Sequence, residues 1–349
     1  SEWEAGPYNQ EKTQCQFCHM PANTELNNSV DISTFEQQSI TFGFPREPED
    51  IRKHTFRGPL QGEPRLIDEA LYISIKTDVS EGMVNATVSV ANVGCGHAVP
   101  TGEPMRSMLL VVEAEANCGV LAPVGGETII DTGGYKAMGV VGSDALVEGA
   151  TLVWQGAAAT ALVGDTVRFV RPSGEYDNYE GVGLFAGDEL SPEQKGVQIF
   201  TPVGEATIVQ VTATEVLLDS SLSLTSGDVA FVGQSWSQNP TDGQTSTSVA
   251  GLSGKAFSKV LLDAQGNRHV PHYKAVDIAS DNRIPPGSNA LSSHSFSVPS
   301  GCSTGTIRAT MLYRPIPMHL AAERGWEAKD YIIASGHAQW TTDQSTSDR

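Results

Sequence analysis

Apolar and polar residues alternate with period two over much of this chain. Leu71-Tyr72-Ile73-Ser74-Ile75-Lys76 and Val84-Asn85-Ala86-Thr87-Val88-Ser89-Val90 set apolar side chains on every second position, as a half-buried strand requires. Ser80-Glu81-Gly82 lies between them as a turn, so the two runs are expected to pair as a hairpin. Arg106–Ala116 is a third expected strand, and the pattern returns at Ala256–Leu262, Ser293–Val298 and Thr306–Tyr313. Short strands separated by Gly, Pro and Asn turns predict a β-sandwich.

Three stretches depart from that pattern. Residues 1–65 are polar and irregular, with a scatter of aromatics (Phe17, Phe35, Phe42, Phe44, Phe56) and no run able to build a core. Residues 126–249 are rich in Gly, Val, Thr and Ala, and they contain an internal echo. Leu162–Phe169 (LVGDTVRF) resembles Ser226–Phe231 (SGDVAF), so a Gly-Asp turn twice launches a Val/Phe strand. This predicts a small barrel-like β domain inserted in a sandwich loop, where insertion is tolerated. Helical spacing is confined to Met318–Tyr331, with Leu320, Ala321, Trp326 and Tyr331 on one face. The expected fold is mostly β. Its parts are an N-terminal segment (1–65), a first sandwich part (66–125), the insertion (126–249), and a second sandwich part with a short C-terminal helix (250–349).

Composition narrows the partners. The 349 residues carry 41 acidic and 22 basic side chains, a formal charge of −19. Such a surface repels nucleic acid and anionic membranes and steers basic partners toward it. No apolar run reaches the ~18–20 residues of a membrane span. The chain starts at Ser1 without a leader, as expected of an exported protein, periplasmic or extracellular, whose signal peptide has been removed.

Five cysteines bring in the chemistry. Cys15-Gln16-Phe17-Cys18-His19 is a C-x-x-C-H motif. Its two thiols suit the two vinyl groups of a porphyrin, and the adjacent imidazole suits the iron, with His19 as proximal ligand. A zinc site or a redox dithiol uses similar residues. Neither a second C-x-x-C nor a βαβ context accompanies the motif, so haem c, one per chain, is the reading. A porphyrin would also supply residues 1–65 with the apolar centre they lack. Cys95, Cys118 and Cys302 remain, enough for one disulfide and one thiol. Cys118 ends one expected strand and Cys302 precedes another. Cys118–Cys302 is therefore the expected bridge, with Cys95 the rival partner for either.

Three motifs in order carry a resemblance: Cys15–Pro21 (CQFCHMP), His54-Thr55-Phe56-Arg57-Gly58, and Gly96-His97-Ala98-Val99-Pro100-Thr101-Gly102. Together they resemble the terminal portion of certain bacterial and archaeal multihaem c-type cytochromes. There a last C-x-x-C-H-M-P haem precedes an H-x-F-x-G stretch and a G-H-x-x-P-T-G loop on a β-sandwich. Asp281–Gly287 (DNRIPPG) and Leu312-Tyr313-Arg314-Pro315 resemble that family's sandwich strands. The likeness covers residues 1–115 and 255–335 and leaves the insertion unassigned. This chain departs in having a single C-x-x-C-H, so any further haems would sit in another subunit or an upstream segment.

The sixth iron ligand decides the chemistry. A second His closes the iron for electron transfer, Met raises its potential, and an open position admits gas or substrate. His54 is the favoured distal ligand, since it matches the family stretch and shares the aromatic segment with the motif. His97, in the other family motif, is the alternative, for this haem or a neighbour's. Met20 follows His19 too closely to reach the far face, and Met105 is an outsider. The expected role is electron transfer with redox partner proteins, alone or within a homo-oligomer or filament, and not enzymatic catalysis. The competing uses are a haem enzyme or gas sensor with an open site, and a structural protein stapled by haem. His269 and His272 read as surface residues. Asp188-Glu189 and Asp277/Asp281 offer too few clustered oxygens for calcium.

Overall fold

A computed structural model describes residues 2–23, 50–142, 149–155, 161–177, 197–212 and 215–342. Strands dominate it. The expected hairpin forms from β1 (Leu71–Ser80) and β2 (Met83–Asn92), with Leu71 opposite Asn92 and Ser80 opposite Met83. Glu81 and Gly82 turn it with φ of 52° and 75°, the left-handed pair that suits the twist of a two-residue hairpin.

Numbered in chain order, one sheet runs β1, β2, β15 (Asn289–Ser297), β5 (Pro123–Gly126). The facing sheet runs β12 (Gln244–Thr245), β17 (Lys329–Thr341), β16 (Thr304–Arg314), β3 (Ser107–Ala116), β13 (Gly254–Leu262), β14 (Asp277–Asp281). A short β4 (Gly119–Val120) pairs with β3. Between the sheets lies one core, in which Val84, Val88 and Val90 of β2 meet Leu110 and Val112 of β3 and Ile307 and Met311 of β16. Cys118 and Cys302 form a disulfide across 184 residues, with Cα atoms 5.6 Å apart.

β3 is buried on both faces. Leu110 and Val112 point into the main core, while Leu109 and Val111 pack with Ile129 and Val249 in a second cluster. Ile129 and Val249 belong to the two connections that lead into and out of a closed barrel. That barrel has the order β10-β7-β6-β11-β8-β9. Its strands are β6 (Ala137–Val141), β7 (Gly149–Gln155), β8 (Thr166–Asp177), β9 (Val197–Val211), β10 (Glu215–Leu218) and β11 (Val229–Gly233). Its core holds Leu152, Val167, Phe169, Ile208, Val216 and Val232. The barrel is thus narrower than the 126–249 stretch, for β5 and β12 pair within the sandwich sheets.

The sequence echo has a physical basis. Asp165 accepts the Leu162 N–H and Asp228 accepts the Thr225 N–H, both at 2.8 Å. The intervening Gly164 and Gly227 adopt φ of 91° and 95°. Each carboxylate also meets a cation, Asp165 with Lys136 and Asp228 with Arg171.

Two buried guanidiniums tie the barrel connections down. Arg314 grips Asp330 through two 2.7 Å bonds, and both side chains are fully buried. It also donates to the carbonyls of Gly133 (3.1 Å) and Thr247 (2.8 Å), one on each connection. Arg168 of β8 donates to the carbonyls of Ser248 and Ala250.

The C-terminal helix is shorter than its spacing predicts. α4 spans Met318–Arg324 and stops at Gly325, which takes φ 66°, the left-handed cap that glycine accepts without strain. Leu320 and Ala321 are buried as expected, but Trp326 is exposed and Tyr331 belongs to β17. Tyr331 sits on the strand that begins four residues after the cap, so helical spacing across Gly325 is accidental.

Candidate functional site

The C-x-x-C-H motif is a single turn of helix, α3 (Cys15–His19). Cys15 and Cys18 are exposed, and His19 is half-buried. The chain leaving this helix meets residues 51–57 in an antiparallel run. Lys53 donates to Pro21 O at 2.9 Å, Asn23 to Ile51 O at 2.7 Å, and Arg57 to His19 O at 2.8 Å. Residues 24–49, including Phe35, Phe42 and Phe44, lie outside the described residues, as does Asp188-Glu189.

This run fixes the His19 ring. Its Nδ1 lies 2.7 Å from the Arg57 carbonyl. A carbonyl only accepts, so neutral His19 carries its proton on Nδ1 and turns the Nε2 lone pair outward, the tautomer of a metal-ligating imidazole. Phe56 stacks on the same ring, centroids 4.7 Å apart and planes parallel. His54 is exposed; the ring that its stretch lays on His19 is Phe56.

The G-H-x-x-P-T-G loop supplies the second imidazole. The His97 ring centre stands 6.3 Å from that of His19, with 23° between planes. Its Nδ1 lies 3.1 Å from the Ala98 carbonyl. Asn92, the last residue of β2 and 1% exposed, holds the loop. It donates to His97 O (2.9 Å) and Ile284 O (3.0 Å) and accepts from Cys95 N–H (3.2 Å). Val99 and Ile284 exchange backbone bonds of 3.0 and 2.9 Å, which tie the Asp281–Gly287 stretch to this loop. The sequence reading overlooked Asn92. Its signal was an amide on the inward phase of a strand, two residues before Gly94-Cys95-Gly96-His97.

The N-terminal helices α1 (Glu2–Ala5) and α2 (Pro7–Gln10) dock on the same loop. Tyr8 Oη donates to Val93 O at 3.3 Å. A Cβ on Gly96 would lie 3.1 Å from the Tyr8 ring and 3.4 Å from that of Trp3. Glycine here permits the close approach. Burial, reinforced by Cys18, pushes the Cys95 thiol up to about 12. Cys95 is therefore a protonated thiol at neutral pH rather than a thiolate ligand or nucleophile.

The other candidates lie apart. Met105 is in the Glu103–Arg106 turn, and His272 pairs with Glu103 at 3.0 Å on the surface. Among the described residues no three or more His, Cys, Asp or Glu side chains gather as a bare metal ion requires, and no helix is long and apolar enough to cross a membrane. Two thiols and an imidazole on one helical turn are the donor set that a covalently held porphyrin would use.

No family model matches the chain, and no curated protein matches it. Among solved structures, a penta-haem cytochrome c552 from Thermochromatium tepidum aligns with 97% of this chain and 49% of its own, at 15% identity and a TM-score of 0.43. The chain therefore spans about half the length of that protein. A pore forming protein aligns with 77% of this chain and 89% of its own, at 8% identity and a TM-score of 0.14. Clostridium perfringens delta-toxin aligns with 77% and 87%, at 9% identity and a TM-score of 0.12. At such values none of the three bears on function.

Proposed function

We propose that this chain is a c-type cytochrome with one covalent haem on Cys15 and Cys18. His19 is the proximal ligand and His97 the distal one. The arrangement of the two imidazoles carries the reading. Metal–imidazole bonds of about 2 Å on either side, with about 1 Å from each nitrogen to its ring centre, would separate the centres by about 6 Å. The observed separation is 6.3 Å. Both Nδ1 atoms face backbone carbonyls, contacts that orient a ligating ring and raise its basicity.

The bound haem would supply a one-electron centre, closed to exogenous ligands by two imidazoles. The chain's own residues orient those rings: Arg57 O holds His19, over which Phe56 is stacked, while Asn92 holds the His97 loop. The role is electron transfer in an extracytoplasmic redox chain, as a lone carrier or as a subunit of a larger or polymeric assembly. The charge of −19 favours redox partners with basic docking faces.

The test uses protein matured with haem. His97→Ala and His54→Ala should both keep haem through acid–acetone extraction. Only His97→Ala should lose the low-spin spectrum and bind carbon monoxide. If His54→Ala alone opens the iron, the distal role passes to His54. Release of haem from the unaltered protein by acid–acetone would end the c-type reading.

A further inference from the structure

One outer face of the sandwich carries almost no charge. β2, β15 and β5 lie side by side, and none of the three contains an Asp, Glu, Lys or Arg. Outward from this face stand Asn85, Thr87 and Ser89 of β2 beside Leu291, Ser293 and Ser295 of β15, while the residues between them are buried. Thr87 and Ser293 are exposed, and Leu291 is 57% exposed. Soluble surfaces carry charge on about 25–35% of their residues, and this chain has 41 acidic and 22 basic ones to place. Something other than charge must keep this face in water.

Asn85-Ala86-Thr87, on the same face, has the Asn-x-Ser/Thr form of a glycan acceptor. A strand sends residues two apart to one side, so the amide and the hydroxyl both stand on the outer face. Asn85 Oδ1 accepts from Ser295 Oγ at 2.7 Å, and its Nδ2 donates to Ser80 Oγ at 3.3 Å. A primary amide has two N–H protons, so a sugar can replace one while both bonds stay. Beyond Ser295 the next strand presents Gly125, which leaves the space beside Asn85 low. Two other triplets of this form differ: Asn239-Pro240-Thr241 is barred by its proline, and Asn27-Asn28-Ser29 lies outside the described residues.

We propose that Asn85 is N-glycosylated and that its glycan lies over the uncharged face of β2 and β15. The proposal rests on the reading of this chain as extracytoplasmic. The donor is an oligosaccharide joined through its anomeric carbon to a lipid phosphate. Asn85 Nδ2 bonds to that carbon and the carbon–oxygen bond to the phosphate breaks. The lipid phosphate leaves with the electron pair, and Nδ2 loses one proton. Because Asn85 is held in a strand, transfer belongs to the emerging chain, before β2 pairs. The first sugars then exchange hydrogen bonds with Thr87 and Ser293. Leu291 lies opposite Ser89, four residues along β2 or about 13 Å away, within reach of the next sugars. A bulky hydrophilic group of this kind solubilises a surface that charge does not.

The test uses the full chain purified from the cells that produce it. Mass spectrometry of the tryptic peptide Thr77–Arg106, with electron-transfer fragmentation, should place a glycan on Asn85. Asn85→Gln and Thr87→Ala should lose it and Thr87→Ser should keep it, each with the circular dichroism of the parent. Hydroxyl-radical footprinting should find Leu291 protected in the glycosylated chain and labelled in Asn85→Gln. Covalent haem, read by acid–acetone extraction, reports the cytochrome reading separately. A haem-loaded chain with a bare Asn85, or with its sugar on Thr87 or Ser89, overturns this proposal and leaves that reading standing. A glycan on Asn85 in a chain without covalent haem upholds this proposal and ends that reading. Protection of Leu291 that persists in Asn85→Gln gives the face to a second copy of the chain and overturns its covering by sugar.

Discussion

In the sandwich, β2, β3 and β16 fully bury Val84, Val88, Leu110, Ile307 and Met311. In the described part of residues 2–65, Ile51 is the one buried apolar side chain. The two regions touch at the 93–97 loop, where Tyr8, Trp3 and Gly96 meet, at Gly287, which faces Pro7, and where Leu60 and Arg65 pack on the sandwich. The sandwich is held by burial, which needs only its own side chains. The N-terminal segment is held by backbone pairing and ring contacts, which leave it short of a core. On the proposed reading, a haem held by its thiols and His19 would complete it.

The largest expected effect tests the independence of the two regions. The Cys118–Cys302 bond closes a loop that holds the whole barrel. Replacing both cysteines by Ala should reduce unfolding free energy in urea by about 5 kcal/mol, as loop-closure entropy gives for so long a loop. The haem spectrum of matured protein should not change, because neither sulfur belongs to the N-terminal segment. An unaltered urea midpoint would remove the bond from the stability of the sandwich. A lost low-spin spectrum would erase the contrast between the regions.

A smaller effect comes from His294 on β15. Its Nδ1 meets Ser253 Oγ and its Nε2 meets Ser292 Oγ, both at 2.9 Å. Burial, with Lys255 adding to it, pushes His294 down to about 3. An unfolded His titrates near ~6.5, so between these values the unfolded chain binds one proton more than the folded one. Stability should then be full above pH ~6.5 and fall as pH drops toward 3, by up to a few kcal/mol from this residue. Urea titrations at pH 7 and pH 4.5 should show that loss, and His294→Gln should flatten the difference. An equal slope in that variant would relieve His294 of the effect.

The fold was legible where period two persists. β1, β2 and β15 follow their alternation, and the Gly-Asp echo marks two turns of one kind. Legibility failed where one residue redirects the chain: Gly325 ends α4, and the pattern beyond it belongs to a strand. At the site, the motif showed which residues carry chemistry but not how the chain returns to them. His54 and Phe56 lie two apart on an extended run, so a small change of register exchanges which ring faces His19. His97 is close only because Asn92 and Ile284 fold its loop toward α3, a contact between residues 192 apart in sequence.

The smallest expected effect sharpens the comparison from the side of the N-terminal segment. Phe56 is 68% exposed, yet it stacks in parallel on His19. Such ring pairs contribute about 0.5–1.5 kcal/mol beyond area burial, and exposure puts this one at about 0.5. The His19 Nδ1 bond to Arg57 O and the backbone bonds of Lys53 and Arg57 do not depend on the Phe56 ring. In Phe56→Ala the imidazole should therefore stay on the iron of matured protein. The loss of the low-spin spectrum in urea should occur at slightly lower denaturant, while the far-ultraviolet transition of the sandwich stays in place. Phe56→Trp should restore the first midpoint, since a larger ring covers the same face. If both transitions shift together, the segment and the sandwich unfold as one unit. If the low-spin spectrum is absent before urea is added, Phe56 positions His19 instead of merely covering it.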